Sequence, residues 1–518
     1  MTTRTRTRSN HFAIPAAALL LHACATDESG CEMPPVTGAA VYVSAQCGAV
    51  DGDGSKERPL STLAAAVAKA KPGTTIAVAA GTYAETVSLP SGVTLTGMGA
   101  SQVIIAPPAD VGIRVAGAEL TTIAGVTVQG ARGTGIEVKG GKLLLQAVAV
   151  KDTLFDASGK GGNGIELAGV QWSRVERTSS SKNKGCGLIT QGSGEVVIID
   201  PLYAPSPRLS ADTGAIIDPL YMPTSTFEGN GAGGVAIIDP LYAPNSQGVT
   251  QQSPIKLEAT LLYNNVGFGL GLFGAGATVT RSAIHGTVKG AQGEHGDGIV
   301  IAAGKLADAP TSVVAIDAES VVGGNARGGL LVAAKAQVDV GADIATNGLG
   351  GLWAQGSNID VVLGKSARVR ANSLVGAAAT MGARLTLAGA TVKATAARKY
   401  ADPAGGQVEE VGDGVGVFDG GRLSLDQVTL ADNARAGVMV HAAGNKSDGA
   451  PDVSIVGASF VGGKFGIAVN KVGATAEVDW KKSNNFKGVA TDVEPAGKFA
   501  VQTTVCSEKD GKKCVPQM

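Results

Sequence analysis

The chain is poor in the residues that usually carry chemistry. Of 518 residues only 4% are aromatic, 17% are charged and five are histidine. The formal net charge is −1, with no basic stripe and no acidic tail. That excludes a nucleic-acid binder, which sets clustered Lys and Arg against phosphates. No Cys-x-x-Cys pair occurs, so a zinc or dithiol redox site has no ligands to build on. Beyond the N-terminal segment no apolar run is long enough to cross a bilayer. Glycine is what the chain does have: 75 residues, about twice the usual share, with no collagen period. Between the glycines, Ala, Val, Ile and Leu alternate with Ser and Thr, the composition of many short strands and tight turns.

A phrase recurs: Asn, three residues, then Gly, usually followed by an apolar alternation. Its clear copies begin at Asn183, Asn230, Asn265, Asn325, Asn347, Asn372 and Asn433; Asn445 and Asn484 fit the letters in more polar surroundings. Two successive gaps are 22 and 25 residues, and others are about two to three times that. A recurring unit of this size marks a solenoid. At a bend between strands, Asn offers both a donor and an acceptor to buried backbone groups and can stack on the next Asn. The Gly is expected to permit positive φ at the next corner. The phrase therefore reads as scaffold.

The N-terminus reads as a processing signal. Arg4, Arg6 and Arg8 precede an apolar stretch, Phe12 to Leu21, too short to span a bilayer. It ends Leu21-His22-Ala23-Cys24, which resembles a bacterial lipobox, although His22 departs from the small or apolar residue usual there. The resemblance implies cleavage after residue 23, a lipid on Cys24 and a place in the bacterial cell envelope. Ala25 after Cys24 favours the outer membrane. An ordinary secretory signal is the alternative. In an oxidising compartment Cys31–Cys47 would tie the tether (24–40) to the first strand and Cys506–Cys514 would close a C-terminal loop. Cys186, in NKGCGL, reads as a small buried residue.

From Val41 to Gly97 the chain runs strand, Gly/Asp loop, helix, then PGTTIAVAAGTYAETV. This resembles the opening of secreted right-handed parallel β-helix proteins of the pectin-lyase-like class. The resemblance implies an all-β, right-handed parallel β-helix with one N-terminal capping helix. It is a poor guide to activity, since one fold hosts many functions. Residues 41–97 would form the cap and first coils, 98–490 the β-helix and 491–518 a tail. Ser61 is expected to cap a helix from Thr62 to about Ala70, stopped by Pro72-Gly73. Stretches such as GLGLFGAGATVTRSAIHGT and GLLVAAKAQVDVGADIAT then read as successive coils. At ~22–25 residues each, ~17–19 coils would stack over ~80–90 Å.

Chemistry is harder to find. Enzymes of the class bring either Ca²⁺-binding carboxylates with an Arg or Lys base, or several Asp with Gly-His-Gly and Arg-x-Lys; neither set is present. Past the signal the histidines are His285, His295 and His441. GEHGDG offers a polar cluster, Glu294, His295 and Asp297, that fits acid–base work or an exposed turn. Asp51 to Ser55 begins like a calcium loop, but the twelfth position is Thr62, so Ca²⁺ has only weak support and no cofactor is expected. One irregularity is the phrase IIDPLY, written three times with Asp200, Asp218 and Asp239 and with Tyr203, Tyr221 and Tyr242. Tyrosines one coil apart would form a row for stacking on sugars, with the Asp residues supplying hydrogen bonds or a Ca²⁺ site. Repetition without selected chemistry is the competing reading. RKYADPAGGQVEE, from Arg398, reads as a polar loop. The expectation is a membrane-anchored, monomeric, non-catalytic surface for polysaccharide. A polysaccharide lyase or hydrolase, or a passive rod or adhesin, is the alternative.

Overall fold

The computed structural model describes residues 32–108, 110–203, 205–208, 223–244, 250–252, 255–291, 295–401, 408–441, 451–470 and 480–497. Three long parallel sheets run through them. One turn of the chain shows the plan: Phe268–Phe273 lies in sheet C, Ala277–Thr280 in sheet A, Ala283–His285 in sheet B, and Asp297–Ala302 returns to sheet C beside Phe268–Phe273. Within the three sheets each strand pairs parallel with its counterpart one coil on, and the described residues form a right-handed parallel β-helix.

Sheets A and B each hold 15 strands. The described residues therefore form 15 coils against the ~17–19 expected for the chain, and at about 4.8 Å per step these extend about 65–70 Å. The expectation overshot because corners carry insertions, between Ala302 and Ser312 for example, which lengthen the sequence without adding strands.

Alternation builds the core. In sheet C, Val235 and Ile237 point inward to one continuous apolar column. Ala236 and Ile238 point outward, into a second apolar layer with Phe268 and Phe273. Leu188, Val235, Leu270 and Ile299 stand in register and are fully buried, so identical inward positions stack along the axis. Such ladders recover apolar burial at every coil without large side chains, which is why so few aromatics suffice.

The Asn phrase forms the corner from sheet B to sheet C. Asn183 donates to Asn230 Oδ1, and Asn230 to Asn265 Oδ1, both at 2.9 Å; Asn325, Asn347 and Asn372 repeat the pattern. The same Oδ1 atoms accept the backbone N–H of the preceding ladder member. Thr287 and Thr395 occupy the ladder position where Asn is missing, each giving its N–H to the next Asn. The expected role of the Gly needs correction. Positive φ falls on the residue before the Asn, such as Lys182, Asn264, Thr346 or Asp432. Gly187, Gly234, Gly329 and Gly351 are needed for space: a Cβ there would stand 2.7 or 2.8 Å from the next coil's Asn Nδ2.

The N-terminal end is closed by the helix Leu63–Lys69. Its cap is Thr62, not Ser61: Thr62 Oγ1 accepts from Ala65 N at 3.2 Å. Glu85 completes the cap, taking the N–H groups of Leu63 and Ala64 at 3.0 and 2.9 Å. Tyr83, 2% exposed, donates to Ala79 O and accepts from Ala45 N. The G-T-Y-x-E run thus ties the first coil to the lid. At the far end Trp480, in the short helix Trp480–Ser483, closes sheet A, and Phe486 stacks on Phe460. Residues 398–411 are not a plain loop: Arg398–Ala401 and Val408–Val411 pair antiparallel as an arm. Cys47 is disulfide-bonded. Cys24, Cys31, Cys506, Cys514 and Asn445 lie outside the described residues.

Candidate functional site

The outer face of sheet A carries an open groove of about 280 Å³. It crosses four successive strands, Ala277–Thr280, Ser312–Ile316, Ala336–Val340 and Ile359–Leu363. Register explains its floor: Thr278, Ala315, Asp339 and Val362 are partners in one outward file. Strand alternation pushes these side chains out, and their small size leaves a channel along the axis. Thr280, Asp317, Gly341, Gly364 and Ser366 form its side at the corner toward sheet B. Asp317 is held there, accepting from Ser320 Oγ at 2.6 Å and from Arg281 N at 3.2 Å. Asp339 is exposed to solvent.

Beside the groove, Arg281 pairs with Glu258 and donates through Nη1 to the Tyr203 carbonyl at 3.1 Å. The first IIDPLY segment therefore stands next to this face. Asp200 ends the sheet A strand Glu195–Ile199, is buried, and accepts from Leu202 N, Thr224 N and Thr224 Oγ1. Tyr203 is half-buried against Leu261, Ala283 and Val321 of sheet B. The third copy lies elsewhere. Asp239 follows the sheet C strand Gly233–Ile238 with φ +40°, and its Oδ2 accepts from Lys305 N at 2.8 Å. Tyr242 starts a short antiparallel pair, Tyr242–Pro244 with Thr250–Gln252. One phrase thus closes a sheet A strand and its twin a sheet C strand, so Tyr203 and Tyr242 stand at different corners, not in one file. Asp218 and Tyr221 lie outside the described residues.

In GEHGDG, Glu294 lies outside the described residues, and His295 is half-buried with φ +62°. Asp297 is buried and bonded by Arg327 Nε at 2.9 and 3.0 Å and by Gly328 N at 2.9 Å. The same staple recurs where Arg435 grips buried Asp413. Near the calcium-like run, hydrogen bonds from the Ser55 side chain first and from Ser55 N at 2.8 Å second hold the Asp53 carboxyl below the usual range, and Arg58 faces Asp51 at 3.3 Å. No group of three or more His, Cys, Asp or Glu that could hold a metal occurs among the described residues. No helix among them is long and apolar enough to cross a membrane.

A second polar patch lies on the outer face of the first coils of sheet C. Arg114, Glu137 and Glu166 are register partners. Glu137 meets Lys139 at 2.8 Å and Arg114 at 3.3 Å, while Glu166 accepts from Thr134 and Asn163. Arg114 also meets Asp110 at 3.0 Å. Cys186 follows beside Glu166; burial first, and that carboxylate second, push its thiol up to about 12. Neither this patch nor the groove was legible in the sequence. No motif links Asp317 to Asp339 or Glu137 to Glu166, and only register, known once coil lengths are known, makes them neighbours.

Residues 47–102, the lid and first coils, match a family described as a protein of unknown function, DUF1565. No curated protein sequence matches the chain. Among solved structures it is similar to pectate lyase Pel9A, at 16% identity over 68% of this chain and 78% of that one, with a TM-score of 0.40. It is similar to the periplasmic alginate epimerase AlgG at 13% identity over 74% and 77%, TM-score 0.38. It is also similar to the catalytic unit of a GH87 alpha-1,3-glucanase from Streptomyces thermodiastaticus at 15% over 82% and 70%, TM-score 0.40.

Proposed function

We propose that the protein is an extracytoplasmic β-helix, anchored to a bacterial membrane by lipid on Cys24, that binds polysaccharide along the outer face of sheet A without cleaving it. The groove across four coils carries this reading. It crosses four coils along the axis and is lined by carboxylates, hydroxyls and small apolar groups, which can meet the hydroxyls and C–H faces of a pyranose chain. A non-catalytic role is supported by the state of three of the carboxylates, while exposed Asp339 has no Lys or Arg lining the groove to form an acid–base couple with. Asp317 is held by Ser320 and Arg281, Glu137 by Arg114 and Lys139, and Glu166 by Thr134 and Asn163. A general acid or base must instead be within reach of a substrate proton.

The test is a glycan array and titration calorimetry on the purified full chain, alongside Val362→Asp, which fills the groove floor with charge. Binding lost in that variant, with unchanged circular dichroism, is the expected result. A blank array would favour a passive rod. Metabolic labelling with a tritiated fatty acid, lost in Cys24→Ala, tests the anchor.

A lyase or hydrolase is the second reading. What favours it is the sheet C patch, where Glu137 and Glu166 sit on adjacent strands with Arg114 and Lys139 on one flat face. It expects new reducing ends or unsaturated products from a polysaccharide, lost in Glu166→Gln.

A further inference from the structure

The ionisable side chains that line the groove are Asp317 and Asp339, and no Lys or Arg lines it. The cations nearest in the fold are engaged, turned away or distant. Arg281 is paired with Glu258, Arg384 faces Asp360 at 3.5 Å, and Lys365, between the lining residues Gly364 and Ser366, lies against Gly389 one coil on and does not line the groove. Lys256 stands in the same outward file as Asp339 but three strands away, through Thr278 and Ala315. Three steps are about 14 Å, beyond the Debye length of about 10 Å at 0.1 M salt. The groove is therefore electronegative. A polyuronate, with a carboxylate on each sugar, would set like charge against Asp317 and Asp339.

We propose that the groove takes a glycan of amino sugars, with a protonated amine seated on Asp339. This rests on the polysaccharide reading above and adds the ligand class. Asp339 lies between the methyl of Ala315 on one side and the side chain of Val362 on the other. That places an anion between two apolar steps one strand apart, matching a sugar whose C–H face packs on an aliphatic group beside its ammonium. Thr278, Thr280 and Ser366 offer hydroxyls to the remaining ring oxygens. A lysine-rich peptide shares the ammonium but fits less well. The groove runs over a continuous ladder, so it has no free strand edge to bond an extended peptide backbone.

The experiment compares glucosamine oligomers, their N-acetylated counterparts, oligogalacturonate and oligolysine by calorimetry on the full chain. Glucosamine oligomers should bind best, and Asp339→Asn should weaken them about tenfold, the worth of one ion pair near a protein surface. Asp339→Glu should restore most of the loss, and the N-acetylated oligomer should be indifferent to both variants. Preferred binding of oligogalacturonate or of the N-acetylated oligomer would overturn the amino-sugar assignment and leave the polysaccharide reading standing. Oligolysine binding with the same dependence on Asp339 would overturn the assignment in favour of a peptide. No binding by any oligomer would overturn both. Calcium displacing glucosamine oligomers through Asp339 would reassign the groove to a cation.

Discussion

Gly329 and Asn347 are made for each other. A Cβ on Gly329 would stand 2.7 Å from Asn347 Nδ2 and 2.6 Å from Gly351 O. Asn347 can reach Asn372 and Asn325 only because that space is empty. Gly329→Ala should therefore cost about 1–3 kcal/mol by overpacking, where an unobstructed strand glycine would gain about 0.5–1 kcal/mol from the same change. Urea denaturation followed by circular dichroism gives the comparison. Asn347→Thr should be milder than Asn347→Leu, because Thr287 and Thr395 already occupy the ladder position.

The lid carries a pH signature. Burial pushes the Tyr83 hydroxyl from an ordinary value of 10.0 up to about 12. Because the folded value is the higher one, its contribution is complete below pH 10 and is lost as pH rises through about 12. Tyr83→Phe should be less stable at neutral pH, since Ala79 O and Ala45 N lose their partner, and should show a smaller alkaline decline than the parent. Thermal melts of both proteins across that range decide it. Glu85→Ala, which strips two N–H groups of their acceptor, should cost about 1–2 kcal/mol.

The fold was legible and the site was not, for one physical reason. A coil advertises itself through local features: alternating aliphatics in FGLGLF, Gly before a turn, Asn at a corner. Asn325, Asn347 and Asn372 announced their ladder by spacing alone, because no insertion interrupts those coils. The groove depends on non-local register. Ala315 meets Asp339 and Asp339 meets Val362 only after each intervening corner has taken its length. IIDPLY shows the converse: six identical letters at Asp200 and Asp239 close strands of different sheets, because neighbouring coils set the phase and the phrase does not. The helix cap escaped the sequence for a similar reason, since Glu85, which takes the N–H groups of Leu63 and Ala64, comes from the connection between the strands Gly81–Tyr83 and Val87–Pro90 beyond the helix.

Cys186 should be chemically silent in the folded protein. It is 4% exposed, and with its thiol pushed up to about 12 the reactive thiolate is scarce at neutral pH. A thiol reagent at pH 8 should leave it unmodified for hours under native conditions and label it within minutes in denaturant, with peptide mapping to locate the adduct. Rapid native labelling would mean that the sheet C coils around Glu166 open locally.

The Asp297–Arg327 staple should behave as a buried ion pair. Asp297 is 1% exposed at its side chain and Arg327 13%. Removing the guanidinium alone in Arg327→Met strands a buried carboxylate and should cost about 3–5 kcal/mol. The double variant Asp297→Leu, Arg327→Met restores an apolar contact and should recover most of that loss, because attraction within such a pair barely exceeds the cost of desolvating both charges. Gly328 N, which also bonds Asp297, loses its acceptor in the double variant and limits the recovery by about 1 kcal/mol. Coils contribute to stability through their neighbours, so the loss should appear as a separate early phase in denaturant, localised by hydrogen exchange to the strands Asp297–Ala302 and Gly328–Val332. If the single variant proves as stable as the parent, the pair is solvated and the staple contributes nothing to holding successive coils of sheet C together.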